Sequence, residues 1–326
     1  LSKRLFIFLL VLTAGFFLIG NLSTPPEPAP QNFGYQPNPV GTQKFLATLA
    51  RPTIRQAAPQ LFAGAGDDQD SVLLYRALYE AKPGWTVGKQ GIGDCVSWGW
   101  SHGADVLLAV EQKLGTSGAW KQAATEAVYG GSRTIGMDRS TGGWSDGSYG
   151  GAAAKYVTKA GILFRQPYPG VDLSEYSAQR AKQWGNFGVP ADLLPLAKEH
   201  PIKTVALVST FEEAATAIKN GYPVPVCSGQ GFSSTRDSDG FARPQGSWSH
   251  CMVLIGVRGG NRPGLLCLNS WGPNWISGPK WPADQPDGSF WVDIETCNRM
   301  LSGRDSFAVS NYLGFPVRKL NNSLGW

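Results

Sequence analysis

Apolar and polar positions change rhythm several times along the chain. Residues 5–20 form an uncharged apolar run directly after Lys3 and Arg4. A basic start before such a run marks an export signal or a membrane anchor. No small-x-small cleavage site follows residues 1–22, which favours an uncleaved anchor over a cleaved signal peptide. The basic flank would then stay inside, with the rest of the chain exported and extracytoplasmic. Residues 24–39 carry six prolines, and the stretch 23–69 reads as an extended, disordered Pro-rich linker. Patterned sequence begins near Asp70, whose carboxylate could cap a short helix over 71–81 with Leu74, Leu78 and Ala81 on one face.

Two later stretches are more informative. After the glycines of Gln90–Cys95, the spacing of Val106, Leu107 and Val110 predicts a helix, with Cys95 at or near its N-terminus. The polar loop Gly246–Ser249 leads into an apolar β-forming run, 251–257, with His250 at its mouth. Residues 264–268 predict a second strand ending at Asn269, and the Gly- and Pro-containing stretch 258–263 suits a hairpin between the two. Cys227, Cys251 and Cys267 all fall in strand-like runs, where burial is expected.

Composition narrows the chemistry. The 326 residues are 42% hydrophobic and 16% charged, with three histidines and five cysteines. That leaves ample material for a core and excludes disorder across the whole chain. Lys3 and Arg4 supply two of the net +5 charges, and the remainder is too small and scattered to suggest a nucleic-acid partner. No two cysteines have zinc-ribbon or dithiol spacing, and neither His-Glu-x-x-His nor a phosphate-binding Gly-Lys-Ser/Thr loop occurs. No metal and no cofactor are expected.

Cys95 is therefore the candidate nucleophile, because unpaired amides and the dipole at a helix start favour a thiolate. His250 is the candidate base, with Asn269 placed to hold one ring nitrogen. His102, inside the helix after Cys95, and His200, before Pro201, are poorer bases.

These segments resemble the papain-like cysteine peptidases. Gln90 to Cys95 is similar to that family's nucleophile segment, His250 with its strand to the His segment, and Asn269-Ser-Trp-Gly272 to the Asn segment. Thr141-Gly142-Gly143-Trp144, the helix after Ala152, and Tyr168-Pro169 are similar to its Gly-Gly turn and following region. Pro223–Cys227 and Gly288–Val292 resemble barrel strands. The resemblance spans residues 85–295 and implies an α+β, two-lobed fold over 70–326. A helical lobe (about 70–200) would face an antiparallel β-barrel-like lobe (about 201–315) across an active-site cleft. It implies hydrolysis of a peptide or protein substrate through a Cys95 thioester, with His250 as acid and base, Asn269 as its orienter and Gln90 on the oxyanion. It also implies that Trp271 shields the His–Asn bond, that Gly142 and Gly143 approach the substrate backbone, and that Trp144, Cys227 and Cys251 line a side-chain pocket.

The sequence departs from the family in several places. The Gln90–Cys95 interval is one residue short, Val96 replaces the usual Trp, and Ile92 and Ser140 stand where a disulfide would be. Residues 175–204 and 272–287 look like insertions. No long charged helix precedes Gln90, so the Pro-rich stretch is not read as the family's inhibitory pro-region. Two other readings are open: a tethered papain-like binding module without turnover, and a serine hydrolase using Ser145 in Gly143-Trp-Ser-Asp-Gly147.

Overall fold

The computed structural model describes residues 31–63, 71–318 and 320. The apolar run 5–20 and Asp70 lie outside the described residues, and with them the anchor and the expected cap. Ten α-helices and ten strands occur among the described residues, with three short 3-10 or π segments between them. The helices are α1 (Pro39–Leu46), α2 (Ile54–Ala57), α3 (Tyr75–Ala81), α4 (Cys95–Lys113), α5 (Thr125–Gly131), α6 (Gly150–Lys159), α7 (Ala178–Phe187), α8 (Leu194–Lys198), α9 (Phe211–Lys219) and α10 (Ile294–Leu301). The strands are β1 (Gln31–Asn32), β2 (Val72–Leu73), β3 (Pro167–Tyr168), β4 (Val171–Asp172), β5 (Thr204–Leu207), β6 (Val224–Arg236), β7 (Ala242–Arg258), β8 (Gly264–Leu268), β9 (Ser289–Asp293) and β10 (Phe307–Ser310).

The long strand β7 organises the sheet. It pairs antiparallel with β6 and with β8, and β9 continues the sheet beyond β8. The β7–β8 pair is the hairpin expected around residues 258–263. The helix α4 crosses β7, and close approach depends on glycine. A Cβ on Gly99 would meet the Met252 carbonyl oxygen at 2.7 Å and Cys251 Sγ at 2.9 Å. Trp100, Val106, Leu107 and Val110 of α4 are fully buried, each stabilising the crossing by about 1.5–3 kcal/mol. The result is an α+β fold in which helix and sheet meet along one seam.

The N-terminal segment departs from expectation. The expected disordered linker is, over residues 31–63, an ordered part of the fold. Asn38 caps α1 by accepting from Gly41 N, with Pro39 opening the first turn where its missing N–H costs nothing. Phe45 and Leu46 bury against the core, and Thr53 with Gln56 forms a capping box on α2. Proline frequency alone concealed these caps. The helix expected over 71–81 starts at Tyr75, because Val72 and Leu73 pair with Val257 and Gly256 instead.

Candidate active site

The seam between α4 and β7 brings the candidate residues together. Cys95 opens α4 and is fully buried, following the loop that carries Gln90. His250 lies on β7 opposite Ser228 of β6. Asn269 follows the last residue of β8. His250 Nε2 lies 2.7 Å from Asn269 Oδ1. The backbone N–H of Ser270 also donates to that oxygen at 2.7 Å, which identifies the atom as the acceptor. Nε2 therefore carries the ring proton, and Nδ1, buried and without a hydrogen-bond partner, is the basic nitrogen. Burial lowers the His250 pKa to about 4, against the opposing hydrogen bond to Asn269.

Trp271 covers this bond. Its ring lies 4.7 Å from the His250 ring at an interplanar angle of 31°. The same indole and Ser270 fix Gln90: its Oε1 accepts from Ser270 Oγ at 3.0 Å and from Trp271 Nε1 at 3.1 Å. That turns the amide Nε2 toward the cleft in spite of the short interval to Cys95. Burial raises the Cys95 thiol well above its ordinary pKa, with the neighbouring Cys251 adding to the effect. The thiol is neutral here. Asp94, immediately before it, is pushed up to about 7 by burial although it accepts from the Tyr176 hydroxyl at 2.8 Å.

The stretch read as a Pro-rich linker enters the site. Residues 33–36 run through it. Phe33 N and Tyr35 N both donate to the carbonyl of Ser249, the residue before His250. The Phe33 carbonyl accepts from Gln90 Nε2 at 2.9 Å. The Phe33 ring packs at 4.4 Å on Trp271 and at 5.2 Å on His250. At Gly34, with φ +116°, a Cβ would strike the Gly93 carbonyl oxygen at 2.1 Å; only glycine passes there. What stays open is a depression of about 340 Å³ lined by Phe33, Gln90, Gly91, Ile92, Gly93 and Trp271.

The Gly-Gly turn is built differently from expectation. Gly142 donates to the Asn186 carbonyl, its own carbonyl accepts from Arg133, and a Cβ there would meet the Gly185 carbonyl oxygen at 1.8 Å. Packing on α7 therefore fixes Gly142. Gly143, at φ +74°, faces open space instead. Buried Arg133 gathers the carbonyls of Gly142, Gly143, Ser145 and Gly147, which shapes the whole loop. Trp144 is 78% exposed and meets Phe187 edge-on, whereas Cys227 and Cys251 are fully buried across the β6–β7 pair. The three do not line one buried pocket. Ser145 sits in this loop with no strand before it, so the elbow a serine hydrolase requires is missing.

Phe33, Tyr35, Arg133, Tyr176 and Asp305 escaped the sequence reading. The aromatic-Gly-aromatic run at 33–35 inside the prolines was the one usable signal; the others contact the site across long sequence separations.

Among the described residues, no group of three or more His, Cys, Asp or Glu could hold a metal ion, and no helix is long and apolar enough to cross a membrane. No family model matches the sequence, and no curated protein matches it. Solved structures do. Xylellain, a cysteine protease from Xylella fastidiosa, is 15% identical, with 86% of this chain and 96% of that chain covered and a TM-score of 0.56. Digestive procathepsin L 3 of Tenebrio molitor larval midgut is 16% identical over 85% of this chain and 83% of that one, with a TM-score of 0.48. Bromelain from Ananas comosus, solved with the E64 inhibitor, is 15% identical over 74% and 98%, with a TM-score of 0.47. At 15% identity the likeness to xylellain speaks for the architecture alone, and the chain has the papain-like fold.

Proposed function

We propose that this chain is a cysteine-type peptidase, exported and tethered by its N-terminal segment, that hydrolyses peptide bonds through Cys95. The observation that carries the reading is the His250 ring, proton on Nε2 toward Asn269 and Nδ1 buried without a partner. A histidine merely filling space has no need of a fixed tautomer. With residues 33–36 displaced, Nδ1 takes the Cys95 proton and the thiolate attacks the scissile carbonyl carbon. The oxyanion meets the Cys95 backbone N–H and Gln90 Nε2, the donor now on the Phe33 carbonyl. His250 Nδ1–H then protonates the leaving amine. Water, deprotonated by His250, cleaves the thioester and returns the thiol.

The test is covalent. A peptidyl electrophile should label Cys95 slowly in the full chain and faster in Phe33→Ala, which loosens the covering segment. Cys95→Ser should abolish both labelling and peptide turnover. Labelling that survives Cys95→Ser overturns the reading. Folded Phe33→Ala protein that binds peptides without thiol-dependent turnover points instead to a binding module.

A further inference from the structure

Two of the five cysteines sit directly opposite each other. Cys227 of β6 and Cys251 of β7 are register partners, in the stretch 224–228 that runs unbroken against 250–254. The backbone N–H of Cys227 donates to Ser306 Oγ at 3.3 Å and not to Cys251, so this is a non-hydrogen-bonded pair of the ladder. Such pairs bring the Cα atoms to about 4.5 Å and their side chains closest together. That lies at the near end of the about 4.4–6.8 Å that a disulfide spans. Both residues are fully buried, and their Sγ atoms are 2.9 Å apart. By comparison, Cys267 Sγ meets Met252 Sδ at 3.6 Å.

The pair lies where the seam is built. Cys251 follows His250 on β7, and its sulfur would stand 2.9 Å from a Cβ on Gly99, one turn along α4 from Cys95. Neither thiol takes part in the proposed hydrolysis, so the pair stands apart from the peptidase reading.

We infer that Cys227 and Cys251 are an oxidative modification site, closing to a cross-strand disulfide that ties β6 to β7 beside His250. The oxidant is a small disulfide such as oxidised glutathione. One cysteine thiolate attacks it, releasing one small thiol and leaving a mixed disulfide. The second thiolate attacks the protein sulfur of that mixed disulfide and releases the other small thiol. The two protons of the cysteines end on the released thiols, and two electrons pass to the small disulfide. Burial holds the Cys227 thiol in its protonated form, and only a thiolate exchanges. The exchange therefore belongs to the chain before β6 and β7 close over the pair.

The full chain would be synthesised cell-free in a glutathione redox buffer, denatured in excess thiol-alkylating reagent and digested without reduction. One linked pair of peptides should appear, holding Cys227 and Cys251, with Cys95, Cys267 and Cys297 alkylated. The bond closes a loop between residues 24 positions apart, which restrains the unfolded chain. The linked chain should therefore melt at least about 4 °C above the same chain made without oxidant. Cys227→Ala should remove both the link and the gain; should it fail to fold, mapping of the unsubstituted chain decides alone. Cys227 and Cys251 both recovered alkylated, or either one linked to Cys95, Cys267 or Cys297, overturns the inference. A linked chain that melts no higher than the unlinked one overturns the tie between the strands. Failure of a peptidyl electrophile to label Cys95 in the linked chain counts against the peptidase reading alone.

Discussion

The middle of β7 and the middle of α4 each hold a buried histidine; the polar run 246–249 expected as a loop before His250 is part of that strand. His250 and His102 are 1% and 2% exposed, and burial lowers both to a pKa of about 4. By burial and titration the two are twins. Their polar surroundings separate them. His250 has Asn269 on one nitrogen, and the ring of Phe33 packs on it at 5.2 Å. His102 has no hydrogen-bond partner on either nitrogen, and sits between the rings of Trp85 and Trp98 at 5.8 Å and 5.4 Å. A displaced pKa therefore marks burial; an orienting partner is what sets His250 apart.

The largest expected effect tests that contrast directly. On the proposed reading, His250→Ala should lower kcat/KM for a peptide by about a thousandfold or more, since base and acid are lost together. His102→Phe should leave kcat/KM within about threefold. It should hold or raise the melting temperature, because two unpaired buried ring nitrogens are replaced by an apolar ring of similar shape. If the two substitutions affected turnover alike, an orienting partner would not be what distinguishes the histidines.

How much of this was legible in the sequence follows the same division. Cys95, His250 and Asn269 could be read because each has a local context: a helix start after glycines, a strand mouth, a strand end before Ser-Trp-Gly. Helix α4 and the β7–β8 hairpin were legible for the same reason, since apolar periodicity is a short-range property. Phe33 and Asp305 were not, because their partners are remote in sequence: the Phe33 carbonyl accepts from Gln90, and Asp305 accepts from Gly150 N and Gly151 N. Proline density hid α1 and α2, whose caps are single residues, Asn38 and Thr53. Gly142 carries a demand of a related kind. Glycine is demanded there by the Gly185 carbonyl of α7, an approach that a turn motif does not announce.

A smaller effect sharpens the comparison through the helix that carries both Cys95 and His102. Gly99 lies between them and touches Met252 and Cys251, the residues after His250. Gly99→Ala should push α4 from β7 there, costing about 1–3 kcal/mol of stability by overpacking and slowing turnover more than it disturbs the Trp85–His102–Trp98 cluster. Intrinsic tryptophan fluorescence and a denaturant midpoint would check this. An unchanged midpoint would mean the seam is looser than the contacts require.

The smallest effect is the pH dependence of stability, where the twin histidines act together and are opposed. Both bind protons less readily folded than unfolded, so each adds stability as pH rises from about 4 to their ordinary 6.5. Buried Asp94, Asp105 and Asp305 are raised to about 7, about 8 and about 6. The folded state holds those protons longer, so each carboxyl removes stability as pH climbs from 3.8 toward its raised value. Between pH 4 and 6 the three carboxyls outweigh the two histidines by one proton, so the melting temperature should fall gently with rising pH. Above 6.5 the histidines are neutral in both states and only Asp94 and Asp105 still titrate, so the melting temperature should fall between pH 6.5 and 8. Asp105→Asn should make that fall shallower. His102→Phe should leave it intact and steepen the gentler fall below pH 6, because one of the two opposing histidines is gone. A fall above 6.5 that Asp105→Asn leaves unchanged would assign the slope to Asp94, the carboxyl beside the nucleophile, and so carry the comparison back to the cleft.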